Sequence, residues 1–233
     1  MQTEKNSRWK IASEVATVIL TLVTCAFTFL QYQINKRQMN LNIEQQQPTF
    51  QVAFNDWKSS GSAICDHTDV TIFNIGDIVR GIKNVTIDTY LQFKYSPDYP
   101  AVEISMWYVP IKDYFNYIMQ TGDRQGEIAK TYSLNYPNNL YYDNLCKTAL
   151  DYVFTSQFVA LELVHVTHIV YVDKFGTERE SFLVNKNLSD KEEALKIIKS
   201  CQVQFEYAKY DISSLTVPKL IMMIEQENKN EVK

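Results

Sequence analysis

The sequence predicts a mainly β fold, with an N-terminal transmembrane helix and stalk leading into an antiparallel β-sandwich that carries two or three added helices. Three observations predict it. From Val15 to Asn35 no residue is charged. Several later segments alternate apolar and polar residues with period two, the pattern of strands with one buried face. The longest apolar run, Phe158 to Val172, is rich in β-branched residues and ends at a turn sequence, Asp173-Lys174-Phe175-Gly176-Thr177, as a central strand opening a hairpin would.

In chain order, residues 1–10 form a short flank and residues 11–34 the predicted membrane helix. At 1.5 Å per residue, the uncharged run is about as long as a hydrocarbon core of roughly 30 Å. Trp9 and Tyr32 stand near its ends, and Lys10 and Lys36 bracket it, as interfacial anchors do. A lipoprotein signal acylated at Cys25 is the rival reading. Thr24 before the cysteine, Glu14 within the apolar region and Phe27, Phe29 and Leu30 beyond the cut all argue against it. The bilayer is then the first partner, and the location is a cell membrane with a single pass. The basic excess before the span, Lys5, Arg8 and Lys10 against Lys36 and Arg37, places the domain outside the cytoplasm.

Along this helix Ser13, Thr17, Thr21, Thr24 and Thr28 recur at spacings of three and four, which brings five hydroxyls to one face. Such a face can drive helix association and a homo-oligomer through the membrane segment; alternatively each hydroxyl bonds back to its own helix. Residues 35–47, rich in Gln and Asn, continue as a helical stalk that stops at Pro48.

Residues 48–213 are the predicted sandwich. Residues 49–54, 70–73 and 85–93 alternate cleanly, residues 102–109 and 129–134 do so more weakly, and residues 180–184 return the hairpin after the long run. Helices are expected over residues 139–154 and from the capping sequence Ser189-Asp190-Lys191-Glu192 through Lys199. A last helix over residues 214–233 begins near Pro218 and ends in a charged tail.

Ile72-Phe73-Asn74-Ile75-Gly76, followed by Asn84-Val85-Thr86-Ile87 and later by Tyr171-Val172-Asp173-Lys174-Phe175-Gly176, resembles uncharacterised bacterial single-pass proteins with an immunoglobulin-like sandwich. In those proteins the Asn-x-Gly and Tyr-x-Asp-x-x-Gly segments are turns. The resemblance implies a fold and no activity.

From Pro48 onward 18 basic residues face 24 acidic ones, a net of −6, with no basic block. Nucleic acid is thereby excluded as a partner, because phosphate contacts need clustered Lys and Arg. The chain has no Gly-x-Ser-x-Gly, Walker loop, Gly-x-Gly-x-x-Gly or His-Glu-x-x-His, so no catalytic residue, cofactor site or metal ligand is assigned. His165 and His168, three apart in a strand, point to opposite faces and read as structural. Cys65-Asp66-His67-Thr68-Asp69 is the densest cluster of ligand-type side chains, explained equally by a polar loop before a strand. The cysteines show no C-x-x-C spacing and read as small hydrophobes.

Ten of the 15 tyrosines lie between Tyr90 and Tyr142. Tyrosine gives broad contact area with a polar tip, so Tyr95, Tyr99, Trp107, Tyr108, Tyr114 and Tyr117 are the candidate contacts for a protein partner. The expected function is a membrane-anchored, non-enzymatic interaction module. A structural or assembly subunit of a membrane complex is the alternative, and an enzyme with an unrecognised site ranks below both.

Overall fold

The computed structural model describes residues 2–45, 47–58, 65–99, 101–115, 117–131, 135–154, 157–189, 191–205 and 208–231. Side chains are described for all of these except residues 2–18, 40, 42–45, 153–154, 188–189, 200–205 and 227–231. The chain divides into two compact units, Met1–Gln47 and Pro48–Lys233.

The first unit is one helix, α1, Gln2–Gln45, and it corrects the transmembrane expectation for residues 11–34. Among the described residues no helix is long and apolar enough to cross a membrane. Between Ile19 and Leu30, where side chains are described, the helix is apolar apart from Thr21, Thr24 and Thr28. Gln31, Tyr32, Gln33, Asn35, Lys36 and Arg37 then follow. A bilayer as partner rests on that span alone and is not carried further. Along the hydroxyl stripe, Thr24 donates to Leu20 O (2.8 Å) and Thr28 to Thr24 O (2.9 Å), so these two are satisfied within their own helix. Ser13 and Thr17 lie outside the described side chains.

The second unit has a sandwich-like architecture of two antiparallel sheets. Its strands are β1 Phe50–Trp57, β2 His67–Asn74, β3 Gly81–Ser96, β4 Ser105–Ile111, β5 Ile118–Gln120, β6 Gly126–Thr131, β7 Phe158–Val172, β8 Glu178–Val184 and β9 Asn187–Ser189. One sheet has the order β1-β2-β6-β5 and the other β4-β3-β7-β8-β9. β7 keeps the bounds that its composition implies. β4 starts later than the alternation from residue 102, because Val102 N bonds back to Asp98 O and Ser96 donates to Val102 O (both 2.8 Å), which ties Val102 to the end of β3.

β3 and β7 pair along almost their whole lengths, from Gly81 opposite Val172 to Ser96 opposite Phe158. Opposite residues share a face. Leu91, Phe93, Tyr95, Val109 and Trp107 therefore lie with Val159, Ile169 and Tyr171 on one buried face. The other sheet packs here, with the Phe50 ring 5.2 Å from Tyr171 and Phe54 5.1 Å from His165. Val164, Val166 and Phe182 belong to the opposite face. Helix α3, Lys191–Phe205, contacts β4 and β8 and buries Ala194 and Ile197.

Helix α2, Tyr136–Leu150, begins with Pro137 in its first turn, where the missing N–H is harmless. It lies against β2 and β7 and against α4, Val217–Glu231. α4 buries Val217, Leu220 and Ile224.

Two side chains hold the loops at the Phe50 end of the sandwich. Asn74, fully buried, donates to Asp77 O (2.9 Å) and Arg124 O (2.7 Å) and accepts from Gly76 N (3.2 Å). Gly76 is required there, since a Cβ would sit 2.3 Å from Thr49 N. Asp173 accepts from Phe175 N (2.9 Å), Thr177 N (2.8 Å) and Arg179 Nε (2.6 Å). Burial alone would raise its carboxyl, and these three donors outweigh that and hold it below the usual range.

Replacing Asn74 by Ala takes its amide donors from Asp77 O and Arg124 O and its oxygen from Gly76 N. Urea unfolding of N74A is expected to show a loss of about 1–3 kcal/mol. Ile75→Ala, at an exposed neighbour, should change stability by less than about 0.5 kcal/mol.

Candidate functional site

At the Trp57 end of the sandwich the two sheets and α2 enclose a pocket of about 680 Å³. β1 contributes Phe54 and Asp56, and Lys58 follows it. Cys65 and Thr68 come from the start of β2, and Tyr114 and Phe115 from the segment after β4. α2 contributes Asn139, Tyr142, Asp143 and Cys146, β7 contributes Leu163 and His165, and the β8–β9 turn brings Asn185, Lys186 and Asn187.

The deep wall is aromatic. The His165 ring is tilted against Phe115 (5.0 Å) and Tyr114 (5.7 Å) and stacked on Phe54 (5.1 Å). Its Nδ1 shares a hydrogen bond with Thr89 Oγ1 at 3.0 Å, a contact set by the β3–β7 register, in which Thr89 stands opposite His165. Burial lowers its pKa to about 4, against a weaker upward pull from Asp56, so the imidazole is neutral at pH 7.

The polar groups of the pocket are spent on structure. Tyr114 donates to Asn139 Oδ1 (2.7 Å), Asn135 Nδ2 reaches the same oxygen (3.2 Å), and Asn139 Nδ2 donates to Cys65 O (3.2 Å). Tyr142 donates to Leu161 O (3.4 Å). Burial raises the hydroxyls of both tyrosines and the thiol of Cys146, which a hydrogen bond from Tyr142 offsets only in part. The walls are therefore uncharged at neutral pH, and charge is confined to Asp56, Lys58, Asp143 and Lys186.

Of the tyrosine-rich candidates, only Tyr114 lines this pocket. Tyr95 and Trp107 are buried in the core, and burial raises the Tyr95 hydroxyl. Tyr108 is half-buried, its oxygen accepting from Gln92 Nε2 at 2.8 Å. Tyr99 rests on Phe158 (5.3 Å) and, with Tyr117, stands exposed. The six form no single face. His168 points away from the pocket, stacked on Phe182 at 4.4 Å.

In the Cys65–Asp69 segment, Cys65 donates to His67 O (3.2 Å), Trp57 Nε1 donates to Asp69 (2.8 Å) and Trp57 stacks on His67 (5.8 Å). Among the described residues, no group of three His, Cys, Asp or Glu side chains could hold a metal ion. Sequence reasoning missed Phe54, Tyr142, Cys146 and Lys186. His165 was visible only as a strand residue, and no local signal marks its role in a wall.

A second hollow, about 640 Å³, lies at the opposite end, among Asp77, Ile78, Val79, Arg80, Arg124 and Lys174. Its polar groups are largely engaged with one another, with Lys174 on Asp77 (3.0 Å) and Arg80 Nε on Lys174 O (3.1 Å).

The neutral His165 makes stability depend on acid. Unfolded, the ring takes its proton near pH 6.5; folded, only near pH 4. Between these values the unfolded state binds more protons, so stability falls as pH falls, by up to about 1.4 kcal/mol per pH unit. His165→Gln should lose less stability than the native chain between pH 6.5 and 4 in urea titrations. Parallel curves would show that the ring does not titrate as described.

No family model, no curated protein and no solved structure matches the chain.

Proposed function

We propose that residues 48–233 act as a non-enzymatic binding module, and that the pocket at the Trp57 end receives the ligand. One observation carries this reading: a pocket of about 680 Å³ in which Phe54, Tyr114, Phe115, Leu163 and a neutral His165 stand beside a few charged side chains, Asp56, Lys58, Asp143 and Lys186. Small-molecule sites commonly fall between about 300 and 1,000 Å³ and combine apolar walls with a few fixed polar groups. The raised thiol and the neutral imidazole suit a surface that holds a ligand better than one that moves protons.

The order β1-β2-β6-β5 against β4-β3-β7-β8 supports reading the sandwich as immunoglobulin-like. It follows the ABED and C′CFG arrangement of that fold, with α2 in place of the short connection between the E and F strands. On that reading the added helix is what turns one end of the sandwich into a receptacle.

Cys65 and Cys146 line the pocket and are free, as is exposed Cys25 on α1. The neutral fluorophore N-phenyl-1-naphthylamine should therefore slow maleimide labelling of Cys65 and Cys146, mapped by peptide mass, and leave Cys25 unaffected. Asn187→Trp, which places bulk at an exposed position on the mouth, should remove the protection. If the probe at its solubility limit slows neither pocket thiol, the pocket is not a binding site.

A further inference from the structure

We propose that the ligand is an amphipathic anion, with an apolar body inside the pocket and a carboxylate, sulfonate or phosphate held at the mouth by Lys58 and Lys186. This rests on the pocket being the binding site.

The two lysines arrive from different sheets. Lys58 follows the end of β1, where Asp66 N bonds Trp57 O at 2.7 Å and closes the strand. Lys186 sits in the turn between β8 and β9, and that turn is fixed on β7 by two hydrogen bonds. Asn185 N donates to His165 O (2.7 Å), and His165 N donates to Asn185 Oδ1 (2.9 Å). Asn185 adopts φ 55°, a conformation that Asn tolerates better than most residues. The backbone of Lys186 is thus presented over the aromatic wall by a defined turn.

Two lysines and two aspartates line the pocket, but they are not equally free. Asp143 is paired with Lys147, one turn along α2. Asp56 accepts from Thr68 Oγ1 at 2.8 Å. Lys58 and Lys186 have no ion-pair partner among the described residues. With Asp143 paired to Lys147, which lies outside the lining, Asp56 stands against both Lys58 and Lys186 and leaves one positive charge in excess, in a unit whose own net charge is −6. A cationic ligand would meet that surplus. A neutral one would leave both ammonium groups unused. An anionic head with an apolar tail satisfies the mouth and the wall together.

Two probes with the same ring system separate the terms: neutral N-phenyl-1-naphthylamine and its sulfonated analogue, 8-anilinonaphthalene-1-sulfonate. Affinity is read at the pocket, as the probe concentration that half-protects Cys65 and Cys146 from maleimide in the full chain, because α1 exposes apolar side chains of its own. The sulfonate should bind about tenfold tighter than the neutral probe at low salt, and that advantage should shrink as salt is added. In K58Q/K186Q it should fall to less than about threefold, with the neutral probe unchanged. Both positions are exposed or partly so, and unchanged urea midpoints will show that the variant folds. Equal affinity for the two probes, or an undiminished advantage in K58Q/K186Q, would overturn the anion assignment while leaving the pocket standing. Protection by neither probe would remove the pocket, and the anion assignment with it.

Discussion

The β3–β7 ladder is the constraint on which the rest of the second unit depends. With 81 opposite 172 and 96 opposite 158, it fixes which side chains of the two longest strands share a face. A slip of one residue would send every one of them to the opposite side. Thr89 would lose His165, Leu91 would lose its place in the interior, and Tyr171 would turn away from Phe50. The register irregularity between Ile82 and Asn84 confines the one offset to the end of the ladder. β4, β8 and β9 extend this sheet, while the other sheet and three helices cover it, so each layer inherits its alignment from the same pair.

The pocket exists because the sandwich is not closed at the Trp57 end. Facing sheets usually lie about 10 Å apart with their side chains interdigitated, as Phe50 and Tyr171 are at the other end. Here α2 stands against β2 and β7, and its polar ties run to backbone or to other polar side chains. Asn139 bridges Tyr114 and Cys65 O, and Tyr142 reaches Leu161 O. These bonds tie the helix to the segments around it. Because they consume the hydroxyls and amides, the space they enclose is left with aromatic faces and an uncharged imidazole.

The strands could be read from residues because each strand is a local pattern. Phe158 to Val172 announces itself by composition, and Asp173 to Gly176 by turn chemistry that the three hydrogen bonds to Asp173 bear out. The pocket could not be read in the same way. It gathers Phe54, Cys65, Tyr114, Tyr142, His165 and Lys186 from six separate segments, and each is unremarkable where it stands. The tyrosine-rich stretch misleads for a related reason. Aromatic residues favour strands, so Tyr95 and Trp107 are needed in the core and are not surplus at the surface. In α1, the uncharged run from Val15 to Asn35 suggests a span, but among the described residues no helix is long and apolar enough to cross a membrane.

The position of the unpaired lysines follows from the same division between structure and surface. Elsewhere in the unit several lysines close the sheets through carboxylates: Lys83 with Glu178, Lys191 with Glu180, and Lys209 with Asp88 at 2.7 Å. Such exposed pairs contribute little each, so leaving two lysines unpaired costs the fold almost nothing. On the proposed reading, the same two exposed charges meet the anionic head of a ligand whose apolar body lies in the pocket. The role proposed for Lys58 and Lys186 therefore lies in recognition at the pocket, since the fold draws no ion pair from either among the described residues.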